Sequence, residues 1–288
     1  MSDASIHAGL AWLESSEEGR EWLKRLPGLV EGTAARWSLT VGPPFEYAFA
    51  SLALPVRRAD GTDAVLKLQF PGREGEHEAA ALEHWGGDGA VRLLDHDPER
   101  HALLIERCTP GTPLSVVEAD AALDVVIGLL PRLWTPAASP FRTLADEAAW
   151  WVEEMQADWE RLGEPFERDL FDAALEALGE LPATQGEQVL LHQDLHAGNI
   201  LRAEREPWLV IDPKPLIGER EFGVVPIVRG MELGHSREAV LRRLRRVTAA
   251  LDLDEDRTRR WTIAQTIAWC FDTEGATAEH VEIARWLL

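Results

Sequence analysis

The chain is predicted to be an α+β protein of two lobes, an antiparallel β-sheet followed by a mainly helical region. Three observations predict it. Short alternating apolar runs crowd the first third, apolar residues at helical spacing dominate after Pro110-Gly111, and two apolar strands between 188 and 212 flank a polar loop.

Each element follows from its pattern. Residues 7–26 place Leu10, Leu13, Trp22, Leu23 and Leu26 at helical spacing, and Pro27-Gly28 predicts the stop of this helical lead-in. Strands are expected at 37–41, 47–54 and 64–70, with Asp60-Gly61 as a hairpin turn between the last two. A helix is expected over 74–86, then strands near 90–95 and 101–107. Beyond a hinge near 106–111 the helical patterns cover 118–133, 143–162, 167–180, 236–250 and 256–271. No internal repeat or low-complexity linker interrupts them. The expected lobes are 1–107 and 108–288.

With 288 residues the chain can bury a sizeable core. Its formal net charge of −21 argues against nucleic acid, whose phosphates need basic surface, and is compatible with a cationic small molecule drawn in by the long-range field. The longest apolar stretch, Ala121 to Leu130, is interrupted by Asp124, so no membrane span is expected. The first residues lack the basic and apolar regions of a secretion signal. Cys108 and Cys270 are too few for a disulfide framework and lack metal-ligand spacing. A cytoplasmic protein, monomeric or weakly dimeric, is the expectation.

The stretch richest in chemistry is Leu190-Leu-His-Gln-Asp-Leu-His-Ala-Gly-Asn-Ile-Leu201. Asp194 stands five positions before Asn199, and thirteen residues later the apolar run Trp208-Leu-Val-Ile211 ends in Asp212. A lone Asp and Asn at this spacing would read as turn formers. Together with His192, His196 and the flanking strands they read as a kinase centre. One carboxylate orients and deprotonates a hydroxyl, while an amide and a second carboxylate hold magnesium under the phosphates of ATP.

His192-Gln-Asp-Leu-His-Ala-Gly-Asn199 resembles the catalytic loop of aminoglycoside phosphotransferases and related small-molecule kinases, which share a protein-kinase-like two-lobed fold. Ile211-Asp-Pro-Lys-Pro-Leu-Ile-Gly218 is similar to the streptomycin 6-phosphotransferase branch, often grouped with hydroxyurea phosphotransferases. Ala64-Val-Leu-Lys-Leu68, Leu103-Leu-Ile-Glu-Arg107 with Pro110-Gly111, and Ala268-Trp269 followed by Asp272 and Glu274 agree with it. The resemblance runs from about residue 35 to the C-terminus. It implies transfer of the γ-phosphate of ATP, with magnesium, to a hydroxyl of a small molecule such as streptomycin. Hydroxyurea or another metabolite is the alternative acceptor, and a catalytically silent binding module is a third reading.

In that reading Asp194 is the catalytic base, and Asn199 and Asp212 hold the metal. Lys67, one of three lysines in an arginine-rich chain, contacts the α- and β-phosphates and pairs with a helix glutamate. Glu78, in helical register with Leu82 and Trp85, is the candidate partner, with Glu74 as fallback. Glu106 and Cys108 lie where the family's hinge offers backbone groups to adenine. Trp269, Asp272 and Glu274 are expected at the acceptor, where indole and carboxylates suit guanidinium or ammonium groups. Acids on the helix around 146–154 could line the same cleft. Lys214 suits either a phosphate contact or a surface salt bridge, and His192 a structural bond to backbone. The glycine-poor turn Val41-Gly-Pro-Pro-Phe-Glu-Tyr47 names no phosphate-binding residue. Gln193 and Ala197 replace a glycine and a proline common in the family. Gly223 stands where relatives often carry an acid bracing the loop, leaving Glu221 as a possible substitute.

Overall fold

A computed structural model describes residues 9–45, 50–73 and 75–288. The chain divides into two compact units. The first runs up to Gly111 and includes Ala203–Arg205; the second comprises Thr112–Arg202 and Glu206–Leu288.

The first unit begins with helix α1 (Glu17–Trp37), capped by the Ser16 side chain accepting from the Gly19 N–H. It does not stop at Pro27-Gly28. Both residues face solvent, while Trp22, Leu23, Leu26, Val30 and Thr33 continue one buried stripe past them. Burial of that stripe outweighs the hydrogen bond that proline removes. The helix therefore consumes Trp37, Ser38 ends it in the left-handed region (φ 54°), and only Thr40–Val41 of the expected strand remains, as β1.

Strands β2 (Ser51–Arg57) and β3 (Asp63–Gln69) form the hairpin around Asp60-Gly61. Helix α2 (Glu78–Trp85) follows, then β4 (Leu93–Asp97) and β5 (Ala102–Glu106). The sheet is antiparallel in the order β1-β2-β3-β5-β4, which puts β3 at its centre. Leu52, Leu54, Leu66, Leu68 and Leu104 pack with the α1 stripe into one core. Alternation along β3 then sends Lys67 and Gln69 to the opposite face. Residues 47–49 of the expected second strand and Glu74 lie outside the described residues.

The second unit is mainly helical: α3 (Ala119–Leu133), α4 (Leu144–Arg161), α5 (Arg168–Glu180), α8 (Arg237–Leu251), α9 (Glu255–Ala268) and α10 (Ala278–Leu287). Within it β6 (Arg142–Thr143), β7 (Gln188–Leu191) and β10 (Leu216–Glu219) form a small sheet centred on β10, and β8 (Ile200–Arg202) pairs with β9 (Trp208–Val210). Two short helices after β10, α6 (Arg220–Gly223) and α7 (Val225–Arg229), were not expected. Every residue of α7 is buried, so its apolar run lacks the amphipathic period that marks a helix. Glu219 is fully buried at the end of β10, where both its oxygens accept from Arg257 Nε at 2.7 Å and Trp261 Nε1 also donates to it. No helix of the described residues is long and apolar enough to cross a membrane.

Candidate active site

In the first unit Lys67 Nζ lies 2.5 Å from Glu78 Oε2, and Gln69 Nε2 donates to the same oxygen at 2.6 Å. The central strand supplies both donors from its face opposite α1, and the first residue of α2 supplies the acceptor. Glu78 is thus the carboxylate beside Lys67. A buried ammonium needs such a partner, because desolvation without one is prohibitive.

Glu106, at the end of β5, has a different environment from a bare hinge. Arg205 binds its carboxylate through Nε at 2.8 Å and Nη2 at 2.9 Å, and donates as well to the Gly87 and Ala90 carbonyls. Burial would raise Glu106, but Arg205 and the Arg92 N–H hold it below the usual carboxylate range. Its side chain is structural. Burial, with Glu106 nearby, pushes the Cys108 thiol up to about 12, so it is neutral.

In the second unit the loop between β7 and β8 is built by its own backbone. The Asp194 N–H donates to the His192 carbonyl, His196 N–H to the Asp194 carbonyl, and Asn199 Nδ2 to that same carbonyl at 2.9 Å. The β8–β9 ladder pairs Ile200 with Val210, and Ile211 N–H donating to the Asn199 carbonyl extends it by one residue. Asp212 therefore follows directly on the pair that contains Asn199. His192 is buried and pushed down to about 4 by desolvation, so it is neutral and its Nε2 donates to the Ile211 carbonyl at 2.9 Å. It thereby ties the Asp194 loop to the chain entering Asp212.

Two backbone positions here are strained. Gln193 has φ 64° and Asp212 has φ 60°. The left-handed region favours glycine, and aspartate tolerates it better than most residues.

The loop's brace is an acid that the sequence reading missed. Glu232, just beyond α7, accepts from the Ala197 N–H at 2.8 Å and lies 3.2 Å from His196 Nδ1. Burial pulls Glu232 upward, but the His196 bond and backbone donors hold it at about 2. Burial alone would lower His196; Glu232 and Asp194 raise it overall. Protonated Nδ1 donates to Glu232, whereas the unprotonated atom accepts from the Gly198 N–H at 3.1 Å. Gly223 leaves no room for a brace, since a Cβ there would sit 2.8 Å from Trp134 Nε1. Glu221 instead accepts from the Asp254 N–H.

Asp194 itself is flanked by two cations. Lys214 Nζ lies 3.3 Å from Oδ2 and Arg229 Nη2 3.6 Å from Oδ1. Both lie over the ring of Trp269, Lys214 Nζ 5.0 Å and Arg229 Cζ 4.4 Å from its centroid. The indole expected to face a substrate cation is thus met by cations of the chain itself. Arg229, at the end of an unexpected helix, had no sequence signal.

Asp272 and Glu274 are exposed. The Asp272 carboxylate accepts from the Glu274 and Gly275 N–H groups, and Arg161 fastens the turn through the Asp272 and Thr273 carbonyls. The acids of α4 divide differently from a cleft lining. Asp146 accepts from Thr143 Oγ1 at the start of the helix, and buried Glu147 pairs with Arg142 at 3.3 Å. Among the described residues no cluster of three or more His, Cys, Asp or Glu gathers as a metal site.

The aminoglycoside/hydroxyurea antibiotic resistance kinase family model matches residues 36–273. Streptomycin 6-kinase of Streptomyces griseus is 42% identical over 272 residues, covering 91% of this chain and 88% of that protein. Hydroxyurea phosphotransferase of Kitasatospora aureofaciens is also 42% identical, over 280 residues, covering 94% of this chain and 81% of that protein. Among solved structures, choline kinase LicA from Streptococcus pneumoniae aligns with a TM-score of 0.65 at 12% identity, over 91% of this chain and 99% of that one. A ternary complex of aminoglycoside phosphotransferase APH(4)-Ia with ADP and hygromycin B aligns with a TM-score of 0.60 at 13% identity, over 89% and 94%. These likenesses place the chain in the protein-kinase-like fold.

Proposed function

Because the chain belongs to the aminoglycoside/hydroxyurea antibiotic resistance kinases and is a phosphotransferase with an alcohol-type acceptor, we propose that it moves the γ-phosphate of ATP to a hydroxyl of an aminoglycoside such as streptomycin. The observation that carries the chemistry is the loop geometry, in which Asp194, Asn199 and Asp212 are held by one set of backbone bonds.

Asp194 orients the acceptor hydroxyl and takes its proton. Lys67, fixed by Glu78, binds the α- and β-phosphates. The Asn199 carboxamide, with its nitrogen committed to the Asp194 carbonyl, would offer its oxygen to magnesium, and Asp212 would supply a carboxylate. Two protein ligands would suit magnesium, which commonly binds through one or two side chains together with substrate phosphates. When bound it neutralises charge that develops on the phosphate oxygens. Glu106 and Cys108 present backbone to the adenine. The ring of Trp269 being given to Lys214 and Arg229, a cationic acceptor is met by Asp272 and Glu274.

The equal identity to the hydroxyurea enzyme supports a second acceptor, hydroxyurea, with the same nucleotide chemistry. The test is ADP release from ATP and magnesium with streptomycin, hydroxyurea and a panel of other aminoglycosides, each product located by NMR. Asp194→Asn should lose about 10²–10⁴ in kcat on the active acceptor. Equal turnover by this variant would remove Asp194 from the chemistry, and hydroxyurea as sole acceptor would overturn the aminoglycoside assignment.

A further inference from the structure

The surroundings of Asp194 hold more positive charge than a proton acceptor needs. Cations do not help a carboxylate take up a proton, but they do help a site hold the charge spread over a phosphoryl group in transit. The two Asp194 contacts, at 3.3 and 3.6 Å, are longer than the roughly 2.7–2.9 Å of a tight ion-pair hydrogen bond. Asp194 is therefore not the only group that positions these cations.

Trp269 is another. Its ring lies within cation–π range of both, and it is itself fixed on several sides. Trp151, buried, meets it edge to face at 6.5 Å, the Trp269 N–H donates to the Gln265 carbonyl, and the His280 ring bonds the Trp269 carbonyl. Gln265 Nε2 in turn donates to the Gln193 carbonyl, next to Asp194. Helix α9 thus carries the indole and also touches the loop that carries the base.

We propose that Lys214 and Arg229, shelved on Trp269, form the anion subsite that receives the transferred phosphoryl group, with Trp269 as their positioning residue. This rests on the kinase reading. The acceptor oxygen forms its bond to phosphorus as the bond to the bridging oxygen of ADP breaks, that electron pair leaves with ADP, and the hydroxyl proton goes to Asp194. Lys214 and Arg229 hold the non-bridging oxygens throughout.

The experiment is calorimetric binding of magnesium ADP, with and without aluminium fluoride as a phosphoryl mimic. It compares the unaltered chain with Lys214→Met, Lys214→Arg, Trp269→Leu and Trp269→Phe. Magnesium ADP should bind every variant within about twofold, which also shows that each is folded. Fluoroaluminate should tighten ADP binding by the unaltered chain by about a hundredfold or more, as transition-state mimics do. Lys214→Met and Trp269→Leu should lose at least about tenfold of that gain, one missing ion contact's worth, while Lys214→Arg and Trp269→Phe retain most of it. Full tightening in both Lys214→Met and Trp269→Leu overturns the subsite. Failure of the unaltered chain to bind magnesium ADP overturns the kinase reading, and the subsite with it.

Discussion

Lys67 and Glu78 meet at 2.5 Å with side chains only 8% and 1% exposed, eleven positions apart in the chain. The strand and the helix that carry them contribute one buried charge each, and Gln69 adds a second donor to the same carboxylate oxygen. A pair so dry is worth little net, yet breaking it is expensive.

Glu78→Leu should therefore cost about 3–5 kcal/mol in urea unfolding, because it removes the buried carboxylate to which both Lys67 and Gln69 donate. The double variant Lys67→Met/Glu78→Leu should recover most of that stability and none of the activity. Recovery of stability together with ADP release would detach Lys67 from the nucleotide.

Glu232 should make the loop's stability depend on pH in a defined window. Its folded value, held at about 2 against an ordinary 4.5, contributes stability above pH 4.5 that is lost as pH falls towards 2. His196, raised above its ordinary 6.5, contributes below that value and loses its share as pH rises through the raised one. The stability gap between the unaltered chain and Glu232→Gln should thus be widest between pH 4.5 and 6.5, at about 1–3 kcal/mol, the worth of hydrogen bonds to a charged group. Thermal unfolding from about pH 2 to about pH 9 measures it, a range that takes in both transitions. A gap that does not vary with pH would show that the brace acts by packing alone.

Gln193 at φ 64° should tolerate glycine and reject β-branched residues. Gln193→Gly should stay within about 1 kcal/mol of the unaltered chain, relief of strain offsetting the freedom glycine adds to the unfolded state. Gln193→Val should lose about 2 kcal/mol or more and lower kcat, since its backbone strain falls beside Asp194. Equal stability of the two variants would contradict the left-handed conformation.

Glu219 separates stability from catalysis. Fully buried and bonded to Arg257, Trp261 and the Gly186 N–H, it joins β10 to α9 without entering the nucleotide chemistry. Glu219→Ala should cost about 3–5 kcal/mol by taking the carboxylate from the partly buried Arg257 guanidinium and from the Trp261 and Gly186 donors. Turnover per folded molecule, measured well below the unfolding midpoint, should be unchanged.

Much of the candidate site was legible because its residues follow from local rules. Lys67 was marked by strand alternation and by the scarcity of lysine, and Glu78 by its place on a helix stripe. Asp194, Asn199 and Asp212 sit in a loop whose backbone-to-backbone bonds span only a few residues apart from one hairpin. The lead-in helix was misjudged at Pro27-Gly28 for the converse reason, since local signals for a stop yielded to a buried stripe that needs the sheet beneath it to exist.

The amino-acid order alone determined the α+β division and the strand-and-loop frame that holds the candidate groups, because hydrophobic period and turn chemistry act over a few neighbouring residues. Tertiary structure alone decided which acid braces the loop and which cations stand beside Asp194. Glu232 lies 35 positions from the backbone it holds, and Arg229 reaches Asp194 and Trp269 from a fully buried helix. Such contacts are set by how helices pack, and packing compares the whole core at once, so no short stretch of sequence carries its signature.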